Sequence, residues 1–305
     1  MVKPKAKIEV WDVLRKTSFW PMISPIYHSK VQENHFTKNE RDLEIILQYY
    51  DVEKRKLFFG DKEMEIMGED IERIFGLPNS GEVINNVGRN MDNDKRKPSA
   101  IFDVKMIKDT VDKQVLLKRL EAEVDKEEKG DARIIAALIL MLLFTTCFFS
   151  KSTVSITWDL INACEDIERI NQYNWPKMIL EFLFDELMRH EKKKPKVLSG
   201  CLILIYYWFL ENTQVKHKIT RKERSTPTYL RWSIRELFTT ESLKDNPDIA
   251  VVSKDKNFKK RRKVYWGQYE GLLGAVGGST GGSRGFYWGQ WAGLLGEVGG
   301  VLGAV

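Results

Sequence analysis

Few residues in this 305-residue chain are of types that do chemistry. Its four histidines are His28, His35, His190 and His217, and its three cysteines are Cys147, Cys164 and Cys201. A cysteine or serine hydrolase needs its nucleophile, a His and an Asp brought together. Here each cysteine falls in a segment with an apolar face, where a thiol stays protonated and inert. The reading is three buried free thiols in a reducing compartment. No two His or Cys share the x2–x5 spacing of a metal site, and His28/His35 is a lone i, i+7 pair. The acid pairs Glu69-Asp70 and Glu165-Asp166 suit a helix first turn and a solvated face. The glycine runs at 271–278 and 296–300 lack both the Lys-Ser/Thr and the strand-to-helix setting of a phosphate loop. These residues predict no catalytic, cofactor or metal set, and therefore no enzyme, no cofactor and no small-molecule substrate.

Charge is more informative. The net charge is +6, yet residues 1–213 carry 33 Lys/Arg against 35 Asp/Glu, whereas residues 214–263 carry 15 against 6. One segment thus supplies the basicity and points to an anionic partner. It ends in Lys259, Lys260, Arg261, Arg262 and Lys263, whose cations on an extended backbone can reach the acidic pockets of a nuclear import receptor. The alternative is a solvated charge run. Upstream, Arg231, Trp232 and Arg235 combine cations with a stackable ring, a candidate nucleic-acid contact. Packing of Trp232 against the domain is the competing reading.

The elements that must position these groups follow from periodicity. Two uncharged runs, 134–149 and 197–210, are 16 and 14 residues long, short of the ~20 needed to span a bilayer. They read as buried core helices, so no membrane partner is expected. Between them Trp175, Met178, Ile179, Phe182, Leu183 and Leu187 form one helical stripe. Thr37 and Glu40 form a capping box for a helix over 38–50. Residues 56–66 read as a β-hairpin turning at Gly60-Asp61. A short helix follows over 69–75, stopped by Gly76 and Pro78. Residues 9–17 predict a helix leading into an extended aromatic segment. Residues 79–100 read as a mobile loop, 102–128 as a helix, 150–155 as a linker, and 228–238 as an amphipathic helix. The last 42 residues hold a repeat: 264–278 matches 286–300 at eleven of fifteen positions. It reads as an aromatic-aliphatic sticker or as low-complexity sequence.

Two blocks together resemble a known family. The hairpin followed by EDIERIFGLPNSGEVI (69–84), with its turn Gly76, Leu77, Pro78, resembles the signature of the plant mobile domain. The block ITWDLINACEDIERINQYNWPKMILEFLFDELMRH, with LSGCLILIYYWFLEN at 198–212, is similar to the same domain. The resemblance is to the aminotransferase-like, transposon-derived type also found upstream of SUMO-protease-type peptidases. The usual hydroxylated residue before the acidic pair is Gly68 here. The resemblance covers roughly 37–240 and brings no catalytic residues. It implies a nuclear protein of transposon origin with protein partners.

The expectation is a mainly α, multi-helix globular domain with a small hairpin near 56–66 and a disordered basic, Gly-rich C-terminal tail. Its divisions are an N-terminal segment (1–36), the helical domain (37–240), a basic linker (241–263) and the repeat tail (264–305). The expected function is a non-enzymatic nuclear interaction module in chromatin or genome maintenance. The alternatives are a catalytically dead remnant and a weak, nonspecific nucleic-acid binder acting through 214–263.

Overall fold

The computed structural model describes residues 4–28, 30–31, 35–36, 40–59, 62–85, 87–88, 99–102, 110–126, 130–193, 197–213, 215–235 and 237–238. The expectations for Thr37, the Gly60-Asp61 turn, Lys259 to Lys263 and the repeat lie outside these residues.

The chain is mainly α, with nine α-helices among the described residues. They are α1 (Pro4–Arg15), α2 (Trp20–Tyr27), α3 (Glu40–Leu47), α4 (Gly68–Phe75), α5 (Lys113–Val124), α6 (Ala132–Leu143), α7 (Trp158–Glu165), α8 (Trp175–Lys193) and α9 (Leu202–Asn212). Strands β1 (Tyr50–Asp51), β2 (Lys56–Phe59) and β3 (Lys62–Glu65) form one antiparallel sheet. Its hairpin register pairs Leu57 with Met64. β4 (Thr110–Asp112) pairs antiparallel with β5 (Ser155–Thr157).

The centre is α6. Every residue from Ile135 to Leu143 is buried, as its lack of a polar face requires, and α1, α5 and α7 all pack on it. It runs into a π-helical turn, Phe144–Phe148. There the Thr145 and Thr146 hydroxyls donate to the Met141 and Leu142 carbonyls at 2.7 and 2.6 Å, competing with backbone N–H groups for those acceptors. The wider turn sets Phe144 against Trp175, with ring centroids 4.7 Å apart. The Trp175 stripe of α8 is buried as its spacing predicts. Cys147, Cys164 and Cys201 are free and buried. No helix among the described residues is long and apolar enough to cross a membrane.

Four local expectations are corrected. Residues 20–27 are helical rather than extended; Pro21 lies in the first turn, where its missing N–H costs nothing. Of the helix expected over 102–128, the described helical part begins at Lys113, because Thr110–Asp112 pairs as a strand with Ser155–Thr157, which starts at the last residue of the expected 150–155 linker, Val111 opposite Ile156. The described part of the 79–100 loop is pinned. Glu82 N–H donates to Gln172 O (2.6 Å), and Glu82 O accepts from Asn174 N (2.7 Å). Residues 228–238 are not one helix: Thr228–Arg231 is a 3-10 turn, after which the backbone at Trp232 is extended. Leu230, Trp232 and Ile234 are buried while Arg231 and Ser233 are less so, an alternation of period two.

Candidate anion-binding interface

The signature turn joins the two ends of the domain. α4 starts at Gly68, with Met67 rather than Gly68 as its cap residue, and Met67 N–H donates to Asp70 Oδ2 at 3.0 Å. The same carboxylate accepts from Trp208 Nε1 (3.0 Å) and from Arg73 Nη2 (2.7 Å). Arg73 also reaches Glu211 at 3.7 Å. Asp70 of the signature therefore fastens α4 to α9. Gly76 ends α4 with φ +78°, and a Cβ there would lie 2.6 Å from Pro21 Cβ and 3.3 Å from Pro227 Cγ. Leu77 is buried and Pro78 exposed. The turn is thus wedged between α2 and the segment after α9.

That segment, residues 215–238, forms a strap across the domain. Its apolar side chains Val215, Tyr229, Leu230, Trp232, Ile234 and Leu237 are buried. Polar ties hold it at both ends. Tyr229 Oη donates to Met22 O (3.2 Å), and His35 Nε2 to Leu230 O (3.3 Å). Leu237 N–H donates to Asp42 Oδ2 at 2.7 Å. Burial raises the Asp42 carboxyl above its ordinary value, with the Leu237 and Phe238 amides opposing the shift. Burial also pushes the Tyr229 phenol up, keeping it a neutral donor. Within the strap, Ile219 N–H donates to Arg231 O (2.7 Å) and Lys222 N–H to Ile219 O (2.9 Å).

The outward side is cationic. From 215 to 238 the strap carries Lys216, Lys218, Arg221, Lys222, Arg224, Arg231 and Arg235 against two acids, Glu223 and Glu236. Lys218, Arg221, Arg224 and Arg235 are exposed. Arg221 holds φ 67°, a left-handed conformation that costs a non-glycine residue about 1 kcal/mol. It turns the chain between Ile219 and Lys222. The arrangement suits several phosphates or carboxylates spaced along a partner.

The predicted contact set divides accordingly. Arg235 lies on the exposed face. Arg231 is half-buried and gives its Nε–H to Ser225 O at 2.8 Å. Trp232 is buried, and its Nε1–H donates to Glu211. Its ring serves packing, with Lys218 Nζ 5.4 Å above it, and is not available to stack on a base. Sequence reasoning missed a second polar cluster because it took 150–155 as a linker. There Gly88 N–H donates to buried Asp159 (2.8 Å), and burial raises that carboxyl. Burial likewise lowers Lys151, against the opposing charges of Asp159 and Glu186. In the core, burial pushes the Cys147 and Cys164 thiols well up.

Residues 37–206 match a family described as a domain of unknown function (DUF8566). The match spans more than half of the chain, which therefore belongs to that family. No curated protein and no solved structure matches it.

Proposed function

We propose that this chain is a non-enzymatic nuclear interaction module of the transposon-derived plant mobile domain type, and that its basic strap docks a polyanionic partner, nucleic acid first among them. One observation carries the reading. The strap buries its apolar side chains and leaves Lys218, Arg221, Arg224 and Arg235 exposed, seven cations against two acids along its sequence. The family resemblance of the 69–84 block supplies the setting, and Lys259 to Lys263 supply a route into the nucleus through an import receptor.

Fluorescence anisotropy of the full chain with a short duplex DNA tests the interface. Four phosphate contacts give a log Kobs against log[salt] slope of about −3.6. Replacing Lys218, Arg221, Arg224 and Arg235 together by Ser should flatten that slope and weaken binding uniformly across sequences. Binding that is undetectable near 50 mM salt, or unchanged in the fourfold variant, refutes the proposal.

A further inference from the structure

A second site lies between α1 and α2. Trp11 and Arg15 stand four residues apart on one face of α1. Trp20 and Tyr27 come from α2. The turn between these helices is held rigidly. Ser18 N–H donates to Asn171 Oδ1 (2.6 Å), and Asn171 Nδ2 donates back to Lys16 O (2.7 Å). Phe19 anchors the turn in the core, its ring 5.1 Å from Phe144 and 5.3 Å from Trp175. Trp20 and Tyr27 therefore meet at a fixed angle, centroids 5.9 Å apart and planes inclined by 50°. Trp11 also packs on Tyr27, ring centroids 4.8 Å apart.

A cation occupies this angle. Arg15 Cζ lies 5.5 Å from the Trp20 centroid and 5.6 Å from that of Tyr27. Its Nη1 donates to Asp12 Oδ1 at 2.6 Å. Two rings and a carboxylate thus converge on one weakly hydrated positive group, which α1 delivers on an alkyl stem. The pair is displaceable: the Arg15 side chain is 43% exposed and that of Asp12 51%, a regime in which ion pairs hold weakly.

We propose that Trp20, Tyr27 and Asp12 form a recognition site for a methylated lysine side chain of a partner protein, with Arg15 as its resident stand-in. A trimethylammonium group matches what the site already holds. It is a bulky cation with little hydration to lose and is attracted to ring faces. It also sits on an alkyl stem as Arg15 does. An unmodified ammonium is strongly hydrated and lacks the bulk to touch both rings. The site shares no residue with the strap, so the fourfold strap variant leaves its side chains unchanged.

The test is calorimetric titration of the full chain with three probes. They are a short peptide bearing one trimethyllysine among uncharged residues, the same peptide with plain lysine, and choline. Arg15→Ala, which vacates the site, should bind the methylated peptide about tenfold more tightly than the parent, and at least tenfold more tightly than it binds the plain peptide. Adding Trp20→Leu to Arg15→Ala should abolish the gain. If that double variant loses its helical circular dichroism, Asp12→Asn in the Arg15→Ala background replaces it, with a several-fold weakening expected. Equal binding of both peptides, no binding of either, or no gain on removing Arg15 overturns the proposal. Preference for choline over the methylated peptide overturns the protein-partner assignment.

Discussion

Replacing Gly76 by Ala strikes the joint on which the strap depends. Two costs are expected. At φ +78° an L-residue loses about 1–2 kcal/mol. The new Cβ would also stand 2.6 Å from Pro21 Cβ and 3.3 Å from Pro227 Cγ. Both rings belong to seated segments, so overpacking adds about 1–3 kcal/mol. The sum, about 2–5 kcal/mol, is a large share of a typical domain's 5–15 kcal/mol. Urea unfolding followed by circular dichroism measures it. Limited trypsin digestion adds a local reading: cleavage at Lys218 to Arg224 should accelerate as the strap loosens. Gly76→Asn separates the two costs, because Asn tolerates the left-handed region yet carries the same Cβ. It should be milder than Ala by about 1 kcal/mol and still clearly destabilised. A Gly76→Asn variant as stable as the parent would show that no wedge exists between Pro21 and Pro227.

Trp232→Phe keeps a ring and removes the donor to Glu211, whose side chain is 7% exposed. It should cost about 1.5–3 kcal/mol and leave duplex affinity unchanged; a fall in affinity at intact fold would restore a stacking role. Glu123 is fully buried and receives Arg119 and Lys126, each at 2.6 Å, and Asp131 N–H at 3.1 Å. Burial pushes its carboxyl up, but the Lys126, Asp131 and Arg119 donors together leave it lowered. Its stabilisation is therefore present above the ordinary carboxylate range and is lost as pH falls through the depressed value. Glu123→Gln should cost about 3 kcal/mol at pH 7 and progressively less in acid; a deficit independent of pH would contradict this. Asp159 has the opposite sign, because burial raises its carboxyl above 3.8. Its charge weakens the fold as pH climbs above 3.8, until the raised value is passed. Asp159→Asn, which still accepts from Gly88, should equal or exceed the parent in stability at pH 7, with its advantage vanishing towards pH 4. A loss of more than about 1 kcal/mol at pH 7 would refute it.

The parts of the fold that the sequence made legible have long, repeated signals. Ile134 to Phe149 has no polar face, and the Trp175 stripe runs for several turns. Gly76 followed by Pro78 marks a helix stop by backbone chemistry alone. What escaped detection was short or borrowed. β4 and β5 have three residues each, too few to show an alternation, and each exists only because the other pairs with it. α2 forms against the prior of two prolines because Phe19 anchors its start. The strap's LRWSIR alternation was visible, but a helical reading of Leu230, Ile234 and Leu237 fits the same residues. Of the candidate interface, the excess of cations could be counted from the chain. Burial of Trp232 depends on Glu211, which α9 brings to it, and no local spacing encodes that partner.

The wedge at Gly76 also bears on how the chain reaches its native state. Tyr229 and Met22, which meet through the phenol, are 207 positions apart. Closing so long a loop adds little thermodynamic cost, since each doubling of length adds only about 0.6 kcal/mol. Contacts of such separation nevertheless form late. During synthesis α1, α2 and α4 are complete long before residues 227–238 emerge. Until then Phe75 and Tyr207, both in ring contact with Tyr229 in the finished fold, lack that cover. The strap is in this sense a latch: a segment that arrives late closes over the turn made near the start. A chain stopped before it would present an apolar face for chaperones to hold.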